Sequence, residues 1–266
     1  MSFCKNCIKG ASSASPRLLE PPIPNNHIYQ ASHAKEPRRE LIGSVNSYVA
    51  TPTIDYPKDK VVLLLTDVFG PQLVNAQLLA DDFAKNGFKT VVPDYLNGDP
   101  VPADVMTSGV CPLSFFSKPV YLQGREQKPF DLQKWIANHT QAQTHPTLDK
   151  VIDGLKKEGV TTFGATGYCF GGRYVLDLAF DNIISASVVS HPSLLEIPAD
   201  LEKYFNTSTS PLLINSCTND VRFPLPASAK ADELFGEGKG DMTDPAVKKA
   251  KEGAFESAVA WFIEKL

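Results

Sequence analysis

The chain has 266 residues, 42% hydrophobic and 21% charged, enough to fill one large α/β core without forcing a domain boundary. A net charge of -4 supplies no field to draw phosphates or anionic lipid, which argues against nucleic-acid and membrane partners. The first ten residues lack the apolar run of a signal peptide, no stretch approaches the ~18–20 apolar residues of a membrane span, and five cysteines, an odd number, point to reduced thiols in the cytoplasm.

Residues 1–40 read as an irregular N-terminal arm, because Ser12 to Arg39 is rich in Pro, Ser, Asn and charge and lacks periodicity. Residues 41–266 then form one domain. Leu41–Ala50 alternates weakly, as an edge strand does. Lys60–Thr66 is a continuous aliphatic run, the mark of a strand buried on both faces. Asn75–Asn86 has helical spacing and stops at Gly87; Phe88–Val92 is a second buried strand. The connection from Asp94 to Lys128 carries four prolines, and irregular segments of that length usually cover a site. Helices are expected at Asp131–Asn138 and His145–Glu158, a strand at Val160–Gly167, and a helix at Arg173–Phe180. Two more buried strands, Ile184–Ser190 and Leu212–Cys217, precede helices at Ala227–Phe235 and Pro245–Lys265. Strands alternating with helices imply a doubly wound, mostly parallel sheet covered on both faces.

The run Gly167-Tyr168-Cys169-Phe170-Gly171-Gly172 joins a strand to a helix. Small residues two positions either side of a nucleophile allow the sharp strand-to-helix bend of a nucleophile elbow. The sulfur of Cys169 is then expected to stand exposed at the sheet's carboxyl edge, facing the amino end of the next helix. By itself the pattern also fits a buried structural cysteine. The flanking strand, helix and third glycine favour the elbow. No G-x-G-x-x-G follows the first strand, so nothing suggests a dinucleotide cofactor.

With Thr66-Asp67-Val68-Phe69-Gly70, Val92-Pro93-Asp94-Tyr95, Ser190-His191-Pro192 and the short start Phe3-Cys4-x-x-Cys7, this elbow resembles the dienelactone hydrolase family of the α/β-hydrolase superfamily, approximately from Val45 to Leu266. The resemblance implies a small-molecule ester or lactone as substrate, no cofactor, and a Cys-Asp-His triad that opens the ester through an acyl-cysteine. It assigns the nucleophile to Cys169 and the acid to Asp220, in a loop after a strand, where an orienting carboxylate belongs. Asp220 without the family match would also suit a turn or loop cap. The oxyanion hole falls to the N–H groups of Phe170 and Val68. Asp67 stands where better-known members carry a glutamate that meets the resting thiol; one methylene shorter, it reads equally as a loop cap.

One part is missing. The histidines are His27, His33, His139, His145 and His191, and none follows Asp220. In the family a strand and a His-Gly-Phe loop stand between the last two helices; here Gly238-Lys239 runs straight into Gly240-Asp241. About twenty residues are absent there, judged from a mean strand of ~5–6 residues plus two loops. The expectation is an α/β-hydrolase fold short of its last edge strand and an impaired hydrolase, or a non-catalytic relative that binds a small molecule. His191, at a strand end, is expected to contact substrate rather than replace the base.

Other clusters carry less. Cys4 and Cys7 with His27 and His33 are spaced too widely for a zinc finger. Cys111 and Cys217 read as structural, the helices of Trp135 and Trp261 as core, and the Asn-x-Ser/Thr triplets at Asn138 and Asn206 as chance. The chain is expected as a monomer or homodimer.

Overall fold

The computed structural model describes residues 39–103, 130–216, 220–235 and 253–266. Residues 1–38, the greater part of the proline-rich connection, Cys4, Cys7, Cys111, Cys217, His27 and His33, and the first turns expected for the last helix lie outside them.

Among the described residues a seven-stranded sheet forms the centre, from β1 (Arg39–Ile42), β2 (Val45–Ala50), β3 (Lys60–Leu65), β4 (Thr90–Pro93), β5 (Thr162–Tyr168), β6 (Ala186–Ser190) and β7 (Leu212–Asn215). Their spatial order is β1-β2-β4-β3-β5-β6-β7. β1 and β2 pair antiparallel with each other, and β2 with β4; every other pair is parallel. The stretch Leu41–Ala50, expected as one strand, is a hairpin: Gly43 and Ser44 both adopt positive φ, 57° and 70°, as a two-residue turn requires to match the twist of its strands.

The helices are α1 (Val74–Lys85), α2 (Leu132–Ala137), α3 (Gln141–Lys157), α4 (Phe170–Phe180), α5 (Ala199–Thr207), α6 (Leu225–Phe235) and α7 (Gly253–Lys265). Alternation along β3 splits the core in two. Val61, Leu63 and Leu65 face a layer built from α3, α4, α5 and α6; Val62 and Leu64 face α1 and α7. Both layers are needed to cover parallel strands that are apolar on each face.

Helix α3 begins four residues ahead of the expected start. Thr140 caps it, its N–H donating to Gln143 Oε1 at 3.2 Å, and Pro146 is tolerated inside it. Helix α5 was not foreseen: among its nine residues only Leu201 and Tyr204 are buried apolar side chains, too few to print a period. Trp135 and Trp261 are buried, as expected.

After β3 the chain builds β4 on one side of it and then crosses to build β5 on the other. That reversal opens a crevice at the carboxyl ends of β3 and β5, where ligands of open α/β sheets bind.

Candidate active site

Cys169 occupies that crevice. It lies between β5 and α4 with φ 51° and ψ -108°, a backbone conformation costly for any side chain and found where surrounding structure enforces it. Close approach of helix and strands supplies the enforcement. A Cβ on Gly171 would lie 2.1 Å from Leu65 O, and one on Gly167 2.6 Å from Gly171 O, so only glycine lets α4 dock this near the sheet. The bend is tied to β6 through Cys169 N–H donating to Ser190 O at 3.1 Å.

The predicted site residues gather along the same edge. Leu65 pairs with Gly167 across β3 and β5; Asp67 and Cys169 each follow two residues later. Tyr168 pairs with Ser190 and Ser190 with Asn215, which sets His191 beside the elbow and Asp220 just beyond β7. Asp220 Oδ1 accepts from the N–H of Arg222 at 2.8 Å and of Phe223 at 3.3 Å. His191 has φ 41°, and its N–H donates to Asn215 O at 2.9 Å. Val68 is 2% and Phe170 2% exposed.

The sulfur is less open than the sequence suggests: Cys169 is 7% exposed. The loop after β6 covers it. Ser193 N–H donates to Cys169 O at 2.9 Å, bringing the Ser193 hydroxyl to 3.8 Å from Sγ. Burial, then the charge of Asp67, push the thiol up to about 11; the Ser193 side chain and the Phe170 main chain oppose them, and Asp220 adds a smaller upward push. Burial likewise raises the Asp67 carboxyl to about 6, against the Phe69 N–H that Oδ1 accepts at 2.9 Å. His191 is held below its ordinary value by burial, with Asp220 pulling the other way. The resting site therefore holds a protonated thiol between two acids and a neutral imidazole.

Two residues that sequence reasoning left without a role shape the surroundings of Val68 and Phe170. The Tyr95 hydroxyl donates to Thr66 O at 2.5 Å, while its ring stacks on Phe170 at 6.2 Å. One buried side chain thus joins the loop bearing Val68 to the residue after Cys169. Val101 N–H donates to Val68 O at 2.8 Å, anchoring the same loop to the incoming arm of the long connection. Tyr95 was visible as part of a motif; Ser193 and Val101 gave no signal, because main-chain hydrogen bonds place them.

The family model for dienelactone hydrolases matches residues 45–239. The chain belongs to the dienelactone hydrolase family. Hydrolase tropI of Talaromyces stipitatus is 30% identical over 79% of this chain and 84% of its own length. Dienlactone hydrolase 2 of Gibberella moniliformis is 30% identical over 83% of this chain and 85% of its own. Among solved structures, the dienelactone hydrolase of Anabaena variabilis superposes with TM-score 0.55 at 14% identity, covering 86% of this chain and 96% of that one. A cold-adapted esterase from an Arctic intertidal metagenomic library gives 0.57 at 12%, covering 90% and 100%. At such identities these two likenesses bear on the fold, which is that of the α/β-hydrolases. Dienelactone hydrolase membership makes this a chain of a lactone- and ester-hydrolase family. Among the described residues no group of His, Cys, Asp and Glu could hold a metal ion, and no helix is long and apolar enough to cross a membrane.

Proposed function

We propose that this chain hydrolyses a lactone or small carboxylic ester through Cys169, at a rate well below that of relatives with a complete triad. The single observation that carries the nucleophile is its strained φ of 51° at the strand–helix bend. In the reaction the thiolate bonds to the carbonyl carbon. The oxyanion draws on the N–H groups of Phe170 and Val68, the alkoxide leaves and takes a proton, and water then splits the thioester.

The impairment rests on the sequence. No histidine follows Asp220, and the family match stops at Lys239, where the segment that bears the base is missing. A thiol near 11 is ionised in roughly one molecule in ten thousand at pH 7, and general-base assistance is worth ~10²–10⁴-fold. Asp220 then has no imidazolium to stabilise, and His191, kept neutral by burial, serves as a substrate contact. The buried, protonated thiol also favours a second reading, a relative that binds a small molecule without turning it over.

Turnover of p-nitrophenyl acetate separates the two. The expected result is a slow rate, about 10²–10⁴-fold below a relative that has the histidine, and lost in Cys169→Ala. A rate matching that relative overturns the impairment; a rate above that of buffer that Cys169→Ala leaves unchanged overturns the nucleophile; no rate above that of buffer leaves the binding reading.

A further inference from the structure

We propose that Arg173 is a positioning residue for Cys169: through Asp200 it clamps the loop of residues 191–198, which lays Ser193 over the sulfur, and so sets access to the thiol. The inference goes one step beyond the reading of Cys169 as nucleophile, adding what governs the approach to it.

The near end of the loop is seated on the elbow. His191 N–H donates to Asn215 O and Ser193 N–H to Cys169 O, each at 2.9 Å. Pro192 packs so close to α4 that a Cβ on Gly172 would lie 2.7 Å from Pro192 Cβ. Gly172 thus makes room for the loop, and the seating carries the Ser193 hydroxyl to 3.8 Å from Sγ.

Arg173, the next residue of α4, holds the far end. Its Nη1 donates to Asp200 Oδ2 at 2.6 Å, and the same oxygen accepts from Glu196 N–H at 2.7 Å. Nη2 donates to Asp177 Oδ1 at 2.6 Å, which anchors the guanidinium on its own helix, and His145 Nε2 of α3 lies 3.3 Å from Asp177 Oδ2. The side chains of Arg173, Asp177 and Asp200 are 12%, 8% and 11% exposed, so water competes little for these bonds. A planar guanidinium is the group suited to grip two carboxylates at once. Removing one partner of such a buried pair weakens what it holds far more than at the surface. Between the fixed ends Leu194 takes φ 63° and is exposed, while Leu195 and Ile197 pack against the core. Release of the Asp200 end therefore frees the span that bears Ser193.

Alkylation of Cys169 by iodoacetamide at pH 8, timed by mass spectrometry of its peptide, tests this. Arg173→Met removes the cation of the clamp. Asp200→Ala removes its anion and the acceptor for Glu196, while Arg173 keeps Asp177. These two changes shift the field at the sulfur in opposite senses, so a faster reaction in both cannot come from the acidity of the thiol. Asp177→Asn loses the same charge as Asp200→Ala but leaves the loop tied. The expected result is labelling about tenfold faster than in the native protein for both clamp variants, with little dependence on urea below the unfolding transition, and a near-native rate for Asp177→Asn. A native rate in either folded clamp variant overturns the inference. So does equal acceleration in Asp177→Asn, or acceleration that climbs steeply with urea, the mark of global unfolding. If Arg173→Met is insoluble, Asp200→Ala decides alone. Turnover of p-nitrophenyl acetate that survives Cys169→Ala would sink the nucleophile reading and leave the hold of the loop on the thiol standing, so the two failures are told apart.

Discussion

Asp67 shows how much the site costs the fold. Its carboxyl titrates near 6 when folded and near 3.9 in an open chain. The folded state therefore binds the proton more tightly, and stability contributed by Asp67 falls as pH rises between those values. Discounted for partial exposure, the cost above pH 6 is about 1–2 kcal/mol. Asp67→Asn keeps an oxygen for the Phe69 N–H and cannot ionise. It should raise the melting temperature at pH 8 and leave it nearly unchanged at pH 4; equal effects at both would contradict the burial argument. Cys169 stood out in the sequence because small neighbours mark its bend, whereas Asp67 and Asp220 were reached through the family resemblance. The 3.8 Å contact of Ser193 with the sulfur was not, since a hydroxyl two residues past a histidine carries no pattern. The buried state of the thiol followed from that unseen contact.

Among the elements, β5 and α4 were the plainest to read, and they place the elbow. Both depend on glycine. Gly171→Ala puts a methyl 2.1 Å from the carbonyl oxygen of Leu65 and 2.7 Å from that of Thr66, backbone atoms that cannot yield without moving β3. The expected cost is at least ~3 kcal/mol, seen as a drop of several degrees in melting temperature or as insoluble protein. A variant as stable as the parent would mean that α4 does not pack this close. Less legible were the hairpin of β1 and β2 and the short helix α5. A two-residue turn at Gly43-Ser44 hides inside a weak alternation, and α5 buries too few side chains to show a helical face. The stems of the long connection are held by tertiary bonds, Trp135 Nε1–H donating to Asp99 O at 2.7 Å and Val101 N–H to Val68 O, which no local pattern encodes.

For the whole molecule, the order β4-β3-β5 sets the crevice, and the crevice sets where chemistry can occur. Alternating buried strands and helices make that architecture readable in the sequence. On the proposed reading, the histidine that would follow Asp220 is the part this sequence lacks, and its loss would affect both halves of the reaction. Attack would be slowed by a thiol that holds its proton, and release by a thioester with no base to activate water. An acyl group on sulfur should then outlive its formation. The decisive measurement is the intact mass of the protein after p-nitrophenyl acetate, followed by mapping of any adduct. A single acetyl group retained on Cys169, absent in Cys169→Ala, is the predicted result. No acetylation at residue 169, or acetylation that clears as fast as in a relative with the histidine, would contradict it.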